Sequence, residues 1–170
     1  LALKYKVGKA SLFQVVHTGI NPGPFRMDVD VRNLKASLGI PLDAPIVGSV
    51  GRLAAPKLPL DFLHAAARVH KEMPALHFVW AGSGPLEAEV KATTSSLGLD
   101  DVVHWLGERS DVPALLRIYN CFVLPSKWEG FPLVILEAFA SGVPVIATDN
   151  LGARELIETG QNGWLVPNGN

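Results

Sequence analysis

The chain has 170 residues, of which 48% are hydrophobic and 18% are charged, and its mean hydropathy is +0.25. Its formal net charge of −1 offers no basic excess for binding a phosphate backbone, which argues against nucleic acid as a partner. The single cysteine, Cys121, excludes an internal disulfide and a cysteine-cluster metal site, and no run of about 20 apolar residues occurs that could span a membrane.

Apolar runs typical of strands alternate along the chain with segments typical of helices. Strands are predicted at residues 46–53, 76–81, 102–106, 121–124, 143–147 and 163–166, and helices between them at residues 61–72, 85–97, 112–119, 132–140 and 153–159. This alternation predicts an α/β fold, a doubly wound, Rossmann-like parallel sheet of about six strands. Ligands of such sheets bind at the carboxyl ends of the strands, so the loops there form the candidate site.

We expect the chain to have two parts. Residues 1–40 are predicted to be a linker that includes a first short helix at residues 32–38, and residues 41–170 are predicted to form the sheet domain. The start lacks both an initiator methionine and a signal-peptide pattern, and the end stops in residues typical of a turn. The sequence is therefore expected to be a fragment of a longer chain.

The loop after the first predicted strand carries two cations. Arg52 and Lys57 lie five residues apart, just beyond Gly51. The guanidinium fork matches phosphate oxygens, and lysine adds a mobile point charge. Together the two side chains could neutralise a diphosphate, and the alternative is a pair of solvated loop charges.

The next two loops give weaker signals. The second loop contains Gly82 and Gly84, but Glu87 occupies the place of the third glycine in a G-x-G-x-x-G dinucleotide motif. We therefore interpret it as a structural turn that can border a ligand. In the third loop, Arg109 could lie over a base or a phosphate, or remain solvated.

The loop after the fourth predicted strand leads into a helix that is apolar except for Glu137. The free N–H groups near Leu133 and Val134, together with the positive end of the helix dipole, favour an anion at this junction. A helix that is apolar all round is normally buried, and a buried carboxylate needs a partner. That partner is either a ligand or a cation such as Arg52 or Lys57.

Two carboxylates flank this predicted anion site. Glu137 lies one helical turn beyond the N–H groups, about 5–6 Å along the axis, which is roughly the distance from a phosphate to the ribose hydroxyls. Glu129 lies on the turn itself and would face the group beyond the phosphates, unless it is merely an exposed loop carboxylate. A phosphorylated ligand that also carries hydroxyls describes a nucleotide sugar.

The sequence offers no sign of a metal or a covalent nucleophile. The five histidines are scattered without the spacing of metal ligands, and no P-loop, G-x-S-x-G or Cys–His pattern is present. We therefore predict that the protein has no metal site and no cofactor.

These motifs resemble those of a known family. Residues 129–138, followed by residues 141–147, resemble the E-x7-E region of retaining glycosyltransferases of the GT-B fold, family 4. The same order and spacing as in that family are found in residues 51–57, 81–84, 106–107, 124–126 and 163–166. The resemblance extends from about residue 15 to residue 168.

The resemblance implies the C-terminal, donor-binding half of a two-domain enzyme, without its N-terminal acceptor domain and its final C-terminal helices. Arg52 and Lys57 would hold the diphosphate, Glu137 the ribose and Glu129 the donor sugar. The donor would be linked to UDP or GDP. The pocket would be lined by N–H groups of Gly130, Phe131 and Leu133, with Gly51, Gly82, Arg109 and Val134 beside it.

The resemblance also implies a mechanism and a setting. Arg52 and Lys57 would stabilise the departing diphosphate without a divalent metal, and Glu129 would position the sugar rather than act as nucleophile. The product would be a polysaccharide, glycolipid or glycoconjugate made in the cytoplasm, with peripheral membrane association through the absent domain. The alternatives are a non-catalytic nucleotide-sugar-binding module and a lobe of a nucleotide-sugar epimerase with the same architecture.

Two positions depart from the family pattern. Leu58 and Pro59 follow Lys57, where the family usually has glycine, so we expect a stiffer loop and a restricted reach for Lys57. The loop after Ala147 is commonly glycine-rich, but here it retains only Gly152. We therefore expect a changed contact near the sugar.

Overall fold

The computed structural model describes residues 9–14 and 16–169. In this part of the chain the strands are β1 (Ile46–Val50), β2 (His77–Ala81), β3 (Val103–Trp105), β4 (Cys121–Leu124), β5 (Val145–Thr148) and β6 (Gly163–Val166). The α-helices are α1 (Val31–Ser37), α2 (Pro59–Glu72), α3 (Glu87–Ser96), α4 (Val112–Ile118), α5 (Leu133–Ala140) and α6 (Leu151–Arg154). The six strands form one parallel sheet in the order β3-β2-β1-β4-β5-β6, which confirms the predicted doubly wound fold.

The chain winds from β1 out to β3 and then returns to continue from β4 to β6. Because such crossovers are right-handed, the two halves place their helices on opposite faces of the sheet. One core lies under α2 and α3 and contains Phe62, Leu63 and Trp80. The other contains Leu115 of α4 and Ile135 of α5. The strand order reverses between β1 and β4, and this is where ligands of doubly wound sheets bind.

The face that carries α2 is only partly covered over β4, β5 and β6. An apolar groove of about 520 Å³ lies there, lined in part by Val123, Ile146 and Val166. Val69 of α2 borders the groove and is 39% exposed. Cys121 also lines it and is partly buried, and this burial raises the pKa of its thiol.

Most predicted elements are found, but several boundaries differ. The last helix was predicted at residues 153–159 and instead spans Leu151–Arg154. It begins earlier because the Asn150 side chain accepts a hydrogen bond from the Ala153 N–H and caps the helix. The first strand ends at Val50 rather than at residue 53, although the Gly51 N–H still donates to the Ala81 carbonyl at 2.9 Å.

Two stacked histidines join the neighbouring strands β2 and β3. The rings of His77 and His104 lie 5.2 Å apart, and Nδ1 of His77 is 2.9 Å from Nε2 of His104. One nitrogen must donate and the other accept, so this bond requires that the pair is not fully protonated. Burial, followed by the nearby charges of His70 and Lys35, lowers the pKa of His77. Burial and then the neighbouring His77 lower the pKa of His104.

We expect this pair to make the protein sensitive to mild acid. Because both pKa values are lowered by folding, their contribution to stability is complete above the ordinary histidine value of 6.5 and is lost as the pH falls through the folded values. Urea unfolding should therefore show a lower midpoint at pH 5 than at pH 7.5. In the His77→Phe/His104→Phe double variant the decrease should be smaller, since the two titrating rings are gone.

The comparison isolates the pair because every other titrating group is present in both proteins. A His64→Gln variant, which changes an exposed histidine of α2, should keep the full decrease of the parent. If the double variant loses as much stability between pH 7.5 and pH 5 as the parent does, the assignment of the acid sensitivity to His77 and His104 is wrong.

Candidate functional site

The loops that follow β1 and β4 meet at the carboxyl edge of the sheet. The Lys127 N–H donates to the Pro56 carbonyl at 2.8 Å, which joins the two loops through their backbones. Beside this bond, Nζ of Lys57 lies 2.5 Å from Oε1 of Glu129. The side chains are 31% and 11% exposed, respectively. Two of the predicted site residues are therefore in direct contact.

Lys57 ends a short 3-10 turn, Ala55–Lys57, and the next residue has an unusual backbone. Leu58 has φ 48° and ψ 52°, in the left-handed region that glycine adopts most readily. Pro59 then begins α2. From this loop the lysine side chain extends to Glu129, and the expected restriction of its reach toward a diphosphate stays a prediction.

Arg52 is exposed in the same loop and forms no ion pair within residues 9–14 and 16–169. The backbone next to it is fixed, because Nε1 of Trp80 donates to the Gly51 carbonyl at 2.8 Å. Arg52 therefore extends from a fixed backbone into solvent, where its hydrogen-bond donors are accessible to a ligand.

Gly82 packs against the backbone of this loop at Gly51. Its φ is 137°, and a Cβ at this position would lie 2.0 Å from the Gly51 carbonyl oxygen. Its N–H donates to the Gly107 carbonyl at 2.7 Å. Close packing of backbones therefore accounts for the glycine at this position.

Arg109 is engaged by a neighbouring carboxylate. Its Nε and Nη2 donate to the two carboxylate oxygens of Asp111 at 2.8 and 2.6 Å. This hydrogen-bonded pair lowers the pKa of Asp111. Arg109 is therefore not simply solvated, and a base or phosphate would compete with Asp111 for its donors.

The loop after β4 is held by residues that the sequence analysis did not select. The Ser126 carbonyl accepts hydrogen bonds from the Thr148 hydroxyl and from Nδ2 of Asn150, the latter at 3.1 Å. Gly152 packs against the same loop, since a Cβ there would lie 2.7 Å from the Glu129 carbonyl oxygen. The departure from a glycine-rich loop thus supplies two polar side chains that fix the backbone before Glu129.

The start of α5 offers unsatisfied donors. Pro132 occupies the N-cap position, and no side chain caps the helix. Among the described residues, no acceptor is found for the backbone N–H groups of Gly130, Phe131, Leu133 and Val134. Phe131 is half-buried and its ring lies 5.9 Å from that of His17. The arrangement agrees with the anion site predicted at this junction.

Glu137 is half-buried on α5, and burial raises the pKa of its carboxyl group. Within the described parts of the chain its carboxylate has no hydrogen-bond or ion-pair partner, and Lys57 is paired with Glu129 instead. The expectation of a helix buried all round is wrong, since only Ile135 and Ala138 are fully buried. The partial exposure leaves this carboxylate accessible to a ligand.

In the part of the chain that the structure describes, no group of three or more histidine, cysteine, aspartate or glutamate side chains is arranged to hold a metal ion. No helix in residues 9–14 and 16–169 is long and apolar enough to cross a membrane.

The described loops thus place two carboxylates and a set of free backbone N–H groups at the switch point of a doubly wound sheet, where domains of this class bind their ligands. Residues 30–170 match the family of glycosyl transferases group 1, and the chain belongs to this family. The chain is 33% identical over 156 residues to the UDP-Gal:alpha-D-GlcNAc-diphosphoundecaprenol alpha-1,3-galactosyltransferase of Escherichia coli. That alignment covers 89% of this chain but only 40% of the relative.

Solved structures show the same relationship. Alr3699/HepE of Anabaena, crystallised with UDP-glucose, superposes with a TM-score of 0.88 at 29% identity, over 99% of this chain and 47% of that one. The C-terminal domain of the group 1 family protein LpcC from Francisella tularensis gives a TM-score of 0.78 at 28% identity, over 89% and 82% of the two chains. This chain therefore corresponds to one GT-B domain and spans less than half of the longer relatives.

We expect Thr148 to fix the loop that carries Glu129. Thr148→Val keeps the shape of the side chain but removes its hydrogen bond to Ser126, so it should lower the free energy of unfolding by about 1 kcal/mol. The Lys127 amide should also exchange faster with deuterium, because the loop is held less firmly. Thr93→Val in α3 is the control, since its hydroxyl bonds only within its own helix. Equal Lys127 exchange rates in both variants would contradict this role.

Proposed function

We propose that this chain is the donor-binding half of a retaining glycosyltransferase and that it binds a UDP- or GDP-linked sugar at the carboxyl edge of the sheet. The observation that carries this proposal is at the start of α5. Among the described residues, no acceptor is found for the backbone N–H groups of Gly130, Phe131, Leu133 and Val134, and no partner is found for the carboxylate of Glu137, which lies about one helical turn beyond Leu133 and Val134. Family membership and the UDP-glucose found on Alr3699/HepE support the same ligand class.

The diphosphate would lie on the N–H groups at the start of α5. Arg52 would add a charge-assisted contact from the loop after β1, since its guanidinium is exposed and unpaired among the described residues. Glu137 would then accept hydrogen bonds from the two ribose hydroxyls, one turn along the helix. Burial raises the pKa of this carboxyl group, and uptake of a proton would turn one of its acceptor oxygens into a donor.

The sugar would lie beside Glu129, whose carboxylate would position its hydroxyls. Arg52 and Lys57 would stabilise the negative charge that develops on the diphosphate as the bond to the sugar breaks. In this arrangement the two side chains supply the electrostatic role that a divalent metal plays elsewhere. Transfer with retention places the acceptor on the face from which the diphosphate leaves, so Glu129 acts as a positioning group rather than a nucleophile.

The complete protein would join this domain to an N-terminal acceptor domain and make a polysaccharide, glycolipid or glycoconjugate. The galactosyltransferase of Escherichia coli that resembles this chain acts, by its description, on a diphosphoundecaprenol-linked acceptor, which supports a membrane-associated product. A cytoplasmic location at the inner face of the membrane is part of this proposal. The isolated chain would transfer no sugar, because half of the cleft that excludes water and orients the acceptor is absent.

Calorimetric titration with UDP, GDP and ADP, each with and without EDTA, tests the proposal. One diphosphate should bind, and EDTA should not change its affinity. Arg52→Ala should weaken that binding by roughly tenfold to a hundredfold, the loss expected for one charge-assisted hydrogen bond, and should affect the nucleoside far less. Arg68→Ala, which removes an exposed guanidinium from α2, serves as the control. Failure of all three diphosphates to bind would refute the proposed function.

We expect Glu137 to determine the preference for ribose. Glu137→Gln keeps the shape but removes the charge, so the affinity for the nucleoside diphosphate should fall by about 1–2 kcal/mol. The 2′-deoxy nucleotide should bind the parent more weakly than the ribonucleotide does, and the difference should shrink in the variant. Glu72→Gln, at the exposed end of α2, is the charge-removal control. A variant that discriminates between the two nucleotides as strongly as the parent does would contradict this assignment.

A further inference from the structure

Lys57 and Glu129 are paired with each other, although the proposed donor site assigns them to different parts of the ligand, Lys57 to the phosphates and Glu129 to the sugar. Nζ of Lys57 lies 2.5 Å from Oε1 of Glu129. Glu129 is only 11% exposed, so little water is available to replace the lysine. A carboxylate that is shielded to this degree is costly to leave without a partner.

The backbones on both sides of the pair are held in place. Lys127 is bonded to the Pro56 carbonyl through its N–H, and its own carbonyl accepts from Nδ2 of Asn168 at 2.9 Å. These bonds join the two loops through their backbones and do not involve the side chains of the pair. The lysine side chain has four rotatable bonds, so it can exchange partners by rotation without any movement of the loops.

A bare nucleoside diphosphate and a nucleotide sugar differ in what they can offer to Glu129. Both carry phosphate oxygens that can draw Lys57 away from the carboxylate. Only the nucleotide sugar also brings hydroxyl groups, which can donate hydrogen bonds to Glu129 in place of the lysine. The bare diphosphate leaves Glu129 without a donor and adds a terminal charge beside it.

We propose that the Lys57–Glu129 pair determines the selectivity of the site for the sugar-bearing donor over the bare nucleoside diphosphate. Movement of the Lys57 ammonium group to the phosphate is favourable only when sugar hydroxyls replace it as hydrogen-bond donors to Glu129. The pair thereby weakens binding of the product of transfer relative to the substrate and favours product release. This inference rests on the proposed function and adds to it the reason why the site distinguishes the two ligands.

Calorimetry with UDP and UDP-glucose, and with GDP and GDP-mannose, provides the test on four proteins. These are the parent, Glu129→Gln, Lys57→Gln and the double variant. Glutamine at position 57 removes the charge but keeps a donor for Glu129, which protects the fold. Glu129→Gln should bind the bare diphosphate about fivefold to tenfold more tightly than the parent, since the phosphate no longer competes with a carboxylate for Lys57. Its preference for the sugar-bearing donor should decrease.

The Lys57→Gln background separates partner exchange from simple repulsion between Glu129 and the phosphate. If exchange is responsible, Glu129→Gln should change the affinity for the bare diphosphate by less than about twofold in this background, because no lysine is left to release. If Glu129→Gln tightens binding of the bare diphosphate equally with and without Lys57, repulsion alone is responsible and the proposal is overturned. A Glu129→Gln variant that binds the bare diphosphate no better than the parent would also overturn it.

Glu72→Gln again controls for the loss of one negative charge, at the end of α2 that lies at the opposite edge of the sheet from the loops. Its affinities should equal those of the parent. The outcomes also distinguish this inference from the proposed function. A parent that binds neither member of either ligand pair refutes both, whereas a parent that binds a donor but shows no effect of Glu129→Gln refutes only the exchange.

Discussion

The parallel pairing of β1 with β4 is the constraint on which the candidate site depends. Val47 and Gly48 lie opposite Cys121 and Phe122, so two strands that are far apart in sequence leave the sheet side by side. Gly48 is required there, because a Cβ would lie 2.1 Å from the ring of Tyr119. The strand pairing is continued beyond the sheet by the bond between the two loops, and it places a lysine and a glutamate 72 positions apart within hydrogen-bond distance.

The alternation of apolar runs with helical segments was enough to predict the parallel sheet and the edge at which its ligand-binding loops lie. The two carboxylates could be selected as well, because Glu137 is the only charge in its helix and Glu129 stands at the turn before it. Their hydrogen-bond and ion-pair partners could not be selected from the sequence. From the sequence, either Arg52 or Lys57 could be the cation that pairs with Glu137. The direction of the lysine side chain, however, is set by the packing of two loops that are distant in sequence. In the structure Lys57 points to Glu129.

The residues that stiffen the site could not be predicted from the sequence either. Thr148 and Asn150 were not selected, since short polar side chains after a strand carry no signal of what they bond to. In the folded domain both donate to the Ser126 carbonyl. Asn150 also caps α6, which explains why this helix begins earlier than its apolar pattern indicated.

Leu58 shows that the backbone of this site is determined more by the fold than by local preference. The left-handed conformation that glycine would adopt easily is imposed here on a leucine, at a cost of about 1–2 kcal/mol. The conformation turns the chain from the end of the 3-10 turn into α2, which begins at Pro59. The backbone is stiff on one side of Lys57, and a hydrogen-bonded loop lies on the other side. The ammonium group of Lys57 therefore moves by rotation of its side chain. A rigid frame that carries one mobile cation is the arrangement that an exchange of partners between Glu129 and a phosphate requires.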